Sequence, residues 1–149
     1  MLLGWLRFHR DALAANCDGL TEEQLLARSA APSRLCLLGL VRHLTEMERH
    51  YLVNALSGGD RPFRYCTADQ PDGDLEGLTT DLVGASMNNW RAEMASADRL
   101  LSAATDLSAP VRPDQPSVRW HLAKVIQEYA RHNGHADIIR ERIDGSRGE

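Results

Sequence analysis

The stretch Leu35-Cys36-Leu37-Leu38-Gly39-Leu40-Val41-Arg42-His43-Leu44-Thr45-Glu46-Met47-Glu48-Arg49-His50-Tyr51 decides the fold class. Leu37, Leu40, Leu44, Met47 and Tyr51 recur at alternating steps of three and four, the repeat of one buried helical face. A helix is predicted from about Leu35, just after Pro32-Ser33, to a stop at Gly58-Gly59. The same repeat runs through three further long stretches, and none shows the sustained period-two alternation of a half-buried strand.

Towards the N-terminus, a first helix is predicted from about Leu2 to Cys17, stopping near Asp18-Gly19. Thr21-Glu22-Glu23-Gln24 has capping-box spacing and predicts a short helical segment through Leu25 and Leu26. Towards the C-terminus, residues 58 to 77 are rich in Gly, Pro and Asp and form a connection long enough to cross one end of a bundle. Such connections often line binding sites. A third long helix is predicted to start after Thr79 or Thr80 and to run to about Ala104, with Val83, Met87, Trp90, Met94, Ala97 and Leu101 on its buried face. Pro110, Pro113 and Pro116 punctuate the next break, and Ser117 is the expected N-cap of a last helix from Val118 to Ile143, closed by Asp144-Gly145. The tail from Ser146 to Glu149 is expected to fray. The expectation is all-α, an antiparallel four-helix bundle formed by one domain over residues 1–149.

The 149 residues suit a single domain, which at this length buries roughly 70% of the surface of its unfolded chain. A formal charge of −4 offers no general attraction to nucleic acid or anionic lipid, so neither is an expected partner. No segment reaches the roughly 20 apolar residues of a membrane span, and the N-terminus gains charge too early for a signal peptide. Cys17, Cys36 and Cys66 are odd in number, far apart and outside any C-x-x-C pattern, as reduced thiols in a cytoplasmic protein would be.

Glu128, His132 and His135 stand at i, i+4 and i+7 on the last helix and therefore share a narrow stripe. A polar stripe can simply be solvated, yet a carboxylate and an imidazole one turn apart can also reach a single divalent ion. His43, Glu46 and His50 form a comparable stripe on the second long helix. His43 lies among Leu40, Leu44 and Met47, so it reads either as a hydrogen-bonded core residue or as a third ligand meeting the other helix. Glu46 suits either a hydrogen bond near such a site or an exposed ion pair with Arg42 or Arg49. His9, Trp120 and His121 read as surface or packing residues.

The strings Gly39-Leu40-Val41-Arg42-His43-Leu44-Thr45-Glu46-Met47-Glu48-Arg49-His50-Tyr51 and Glu128-Tyr129-Ala130-Arg131-His132-Asn133-Gly134-His135-Ala136-Asp137 resemble the two signature helices of the DinB-like superfamily, in particular a branch of unknown function. The resemblance also takes in the capped Thr21 segment, the Pro32-Ser33 approach and the terminal Ile143-Asp144-Gly145. Where the wider superfamily has His-x-x-x-His, this chain has Glu128-x-x-x-His132, a form similar to the mycothiol-dependent maleylpyruvate isomerases. The resemblance implies a DinB-like bundle with His43, Glu128 and His132 as metal ligands. It leaves His135, where relatives often carry glutamine, as an additional ligand or a hydrogen-bonding neighbour of one.

Two imidazoles and one carboxylate leave a divalent ion with residual charge and an open position, the makings of a Lewis acid. Zinc or nickel is the expected metal. For some relatives the resemblance implies thiol transfer with mycothiol or bacillithiol, so the expected partners are a small-molecule thiol and an electrophilic substrate. A thiol S-transferase, or a related hydrolase or isomerase, is one reading. A non-enzymatic bundle that binds a metal or small ligand is another, and a metal-free homodimeric interaction module, with the polar stripe as its contact surface, is the third.

Overall fold

The periodic segments fold as helices, and the computed structural model describes residues 1–148. In chain order these are α1 (Leu2–Cys17), α2 (Glu22–Leu25), α3 (Leu37–Met47), a π-helical stretch (Glu48–Asn54), α4 (Ala55–Ser57), a 3-10 turn (Thr80–Leu82), α5 (Val83–Ala103) and α6 (Val118–Asp144). No β-strand occurs among the described residues; Pro110 and Ser117 form an isolated bridge across the last break. Glu149 falls outside the described residues, and Ser146 to Gly148 follow the last helix without helical structure.

Local chemistry sets the helix ends. The Thr21 hydroxyl accepts from the Gln24 N–H while the Gln24 side chain accepts from the Thr21 N–H, so the predicted capping box forms in full. The Ser117 hydroxyl caps α6 by accepting from the Trp120 N–H at 3.2 Å. Gly58 and Gly145 end α4 and α6 with φ of 71° and 82°, a left-handed backbone that glycine adopts without a Cβ penalty. The second long helix differs from expectation in two ways. It begins at Leu37, capped by the Cys36 sulfur, and its course changes at Glu48 to i→i+5 bonding before α4 resumes the α-helix.

Helix α1 packs along α6, α3 packs against both α5 and α6, and the π-helical stretch touches α5 and α6. Leu6 and Leu13 of α1, Leu40 and Leu44 of α3, Trp90 of α5 and Leu122 of α6 are among the side chains buried where these helices meet. At roughly 1.5–3 kcal/mol for each large apolar side chain fully withdrawn from water, this interior is the main source of stability.

The π-helical stretch also carries charge into that interior. Both Glu48 oxygens accept from Arg10, Nε to Oε1 and Nη2 to Oε2, at 2.7 Å each. Tyr129 donates its hydroxyl to the same carboxylate at 3.0 Å, Trp90 donates its indole N–H to the Tyr129 oxygen, and Arg10 Nη1 reaches Asp98. Burial pushes the Glu48 carboxyl up and the bidentate guanidinium pulls it back towards the charged form. Arg49, the next residue, faces α5 and donates to the buried Glu93.

Candidate metal centre

Helix α3 brings His43 towards the stripe of α6 that carries Glu128 and His132, so side chains 85 or more positions apart in the chain meet. His43 Nε2 lies 3.9 Å and His132 Nε2 3.6 Å from Glu128 Oε2, and the three ligand atoms all fall within 4.8 Å of one another. The two imidazoles meet edge to face with centroids 4.6 Å apart. All three side chains are partly covered, with 14% to 23% of their surface exposed, enough for a small molecule to approach.

Burial and the neighbouring His43 and His135 push the His132 imidazole down to about 4, so it is neutral at physiological pH with a lone pair to give. Burial pushes the Glu128 carboxyl up, but Lys124 outweighs it and holds the group below the usual carboxylate range. Lys124 Nζ sits 2.7 Å from Glu128 Oε1, leaving Oε2 turned to the imidazoles. A second carboxylate, from Asp74 of the connecting loop, accepts from His43 Nδ1 at 2.8 Å.

Tetrahedral donors at about 2.0–2.2 Å from a zinc-sized cation are separated by about 3.3–3.6 Å. The two imidazole-to-carboxylate spacings, 3.6 and 3.9 Å, lie at and just above that range, and all three ligand atoms lie within 4.8 Å of one another. Two imidazoles and a carboxylate are also the right donor types, and the residues present therefore fit a divalent cation.

His135 lies beside the trio and not within it: its Nδ1 is 3.3 Å from His132 Nδ1, a contact that leaves His132 Nε2 turned towards Glu128. Glu46 makes no ion pair with Arg42 or Arg49. It is buried and accepts from the backbone N–H groups of Arg64, Tyr65 and Cys66 at 2.9, 2.6 and 3.3 Å. Arg42 instead donates to the Gly73 carbonyl at 2.8 Å and stacks on the Tyr65 ring, while Arg49 pairs with Glu93. His50 is exposed and packs against Tyr51 and Phe63. His121 is buried beside Trp120, a packing position, and Trp120 itself is exposed.

Sequence reasoning did not single out Asp74 or Lys124. Lys124 carried a usable signal, since it stands one turn before Glu128 on the same stripe and is the only lysine in the chain. A groove of about 750 Å³ between α1 and α5 includes none of the trio, so here donor chemistry and not volume marks the site.

The three cysteines are poor nucleophiles. Burial pushes the Cys17 thiol up to about 12, raises Cys36, and lifts half-buried Cys66 to about 11.

The family model for mycothiol-S-transferase matches residues 1–145. The chain belongs to the mycothiol-S-transferase family. That family is part of the DinB-like superfamily, so the likeness first legible in two helices extends over nearly the whole sequence. Apart from this family match, no curated protein and no solved structure matches the chain. In this mycothiol-S-transferase family member, His43, Glu128 and His132 come together where α3 meets α6.

Proposed function

We propose that the chain is a divalent-metal-dependent thiol S-transferase that uses mycothiol or a closely similar low-molecular-weight thiol. His43, Glu128 and His132 hold the cation, which is zinc or nickel. The carrying observation is the approach of three ligand atoms, from two helices far apart in sequence, to within 4.8 Å of one another in a chain of the mycothiol-S-transferase family. A cation bound there supplies Lewis acidity and lowers the pKa of an approaching thiol, so that thiolate is present at neutral pH.

The protein's own part is to hold and tune. His132, kept neutral by burial, and the ionised Glu128 are ready as ligands without first losing a proton at pH 7. Lys124 fixes one Glu128 oxygen and leaves the other to the site. In the reaction the thiol sulfur forms a bond to the electrophilic carbon, the leaving group departs with its electron pair, and the thiol proton passes to solvent. The high thiol pKa values of the chain's own cysteines support an external nucleophile.

The packing of α1 on α6 and of α3 on α5 and α6 supports an antiparallel four-helix bundle of DinB-like type, read as one domain. No helix among the described residues is long and apolar enough to cross a membrane, and the free cysteines suit the reducing cytoplasm, where we place the protein.

The test is turnover of an electrophile with added mycothiol by zinc- or nickel-loaded protein, compared with His132→Ala. A fall of at least 100-fold in the variant is expected; equal rates would remove the proposal.

A further inference from the structure

One turn of α3 does three jobs at once. Arg42 and Glu46 stand one turn apart at i and i+4, and His43 lies between them in the chain, three positions before Glu46. Glu46 gathers the N–H groups of Arg64, Tyr65 and Cys66, and Arg42 holds the Gly73 carbonyl while its guanidinium lies 3.8 Å from the Tyr65 ring centroid. Two points within the loop are thereby pinned to α3 by residues that flank His43 in the chain. Gly73 closes the arrangement: a Cβ there would stand 2.1 Å from the Tyr65 carbonyl oxygen, so no other residue fits without moving the backbone. The residue that follows is Asp74, 5% exposed, with Oδ2 2.8 Å from His43 Nδ1.

The Asp74 carboxylate acts as the acceptor in this 2.8 Å contact, so Nδ1 carries the shared proton and Nε2 is the ring nitrogen left to a cation. Nε2 is the atom that faces Glu128 and, across it, His132. We propose that Asp74 is a positioning residue for His43: it fixes the ring's orientation and its Nδ1–H tautomer, and the loop pinned by Arg42 and Glu46 exists at this point to deliver it. The inference rests on the reading of His43, Glu128 and His132 as a cation site. Hydrogen-bonding partners of this kind raise the basicity of a ligating imidazole, and their loss commonly weakens metal binding 10- to 100-fold.

The experiment uses the full chain and zinc alone as probe, with affinity measured by competition against a chromophoric chelator. The protonation of the His43 ring nitrogens is read separately, by long-range ¹⁵N–¹H NMR on the metal-free protein. For Asp74→Ala the expected results are zinc binding weakened roughly 10- to 100-fold and a His43 ring that no longer holds the Nδ1–H form. Asp74→Asn keeps an oxygen that can accept from Nδ1 and is expected to fall between the two, which guards against a loop that merely collapses in the alanine variant. Asp74→Ala binding zinc within twofold of the unmodified chain, with the His43 tautomer unchanged, overturns the proposal. If the unmodified chain binds zinc no better than His132→Ala, the cation reading itself fails. The tautomer still judges Asp74 in that case: a dominant Nδ1–H form supports its role, and a mixture overturns it.

Discussion

His132 shows how far a single residue's surroundings set its chemistry. Its ring is pressed between His43 and His135 and shielded from water, so its charged form is disfavoured and its pKa falls to about 4 from an ordinary 6.5. Between those two values the unfolded chain binds a proton that the folded, metal-free chain does not. Stability of the metal-free protein is therefore fully present above about pH 6.5, declines as pH falls through that window and levels off below about 4. The size of the decline is at most about 3 kcal/mol. An NMR titration of the His132 ring in metal-free protein is expected to give a midpoint near 4; a midpoint near 6.5 would show that the ring is not shielded as described.

At the scale of elements, helices and their caps were legible because their signals are local. The three-four repeat of Leu37, Leu40, Leu44 and Met47, the Thr21 capping box and the Ser117 cap all act within one or two turns, and each forms where expected. The trio was legible in part: Glu128 and His132 share a stripe by spacing, whereas the assignment of His43 came from the family resemblance. Asp74 was not, because it sits in an aperiodic loop and meets a partner 31 positions away. Of the two readings open for Glu46, a hydrogen bond near the site holds and the exposed ion pair does not. Its arginine neighbours at 42 and 49 imitate an exposed ion pair, and nothing local reveals that a loop will fold over it. Nor does apolar periodicity report the switch to i→i+5 bonding at Glu48. The loop's dependence on Glu46 is open to measurement. Glu46→Ala leaves three backbone N–H groups without their acceptor at a cost of about 2–3 kcal/mol, and amide exchange at Arg64, Tyr65 and Cys66 is expected to speed up at least tenfold. Unchanged exchange at those amides would mean that other contacts hold the loop.

Across the whole molecule, two polar assemblies lie in the same helical framework and differ in completeness. Glu48 and Arg10 satisfy each other in the interior and tie α1 to the π-helical stretch, while Tyr129 and Trp90 extend the network to α6 and α5. The trio formed by His43, Glu128 and His132 instead brings three ligand atoms within 4.8 Å of one another at a partly covered position. The first arrangement is structural: Arg10→Ala strands a buried carboxylate and is expected to destabilise by about 3–5 kcal/mol. That corresponds to roughly 10 °C or more in Tm for a chain of this length. Thermal unfolding within 2 °C of the unmodified protein would contradict it. The second arrangement is the proposed cation site, and what fills the space between its three ligand atoms decides that reading. X-ray diffraction from crystals of untagged, zinc-loaded protein, collected at the zinc absorption edge, reads this directly. One anomalous peak is expected, at about 2.0–2.2 Å from His43 Nε2, His132 Nε2 and a Glu128 oxygen. Ordered side chains with no peak between them, or zinc found only elsewhere, would contradict it.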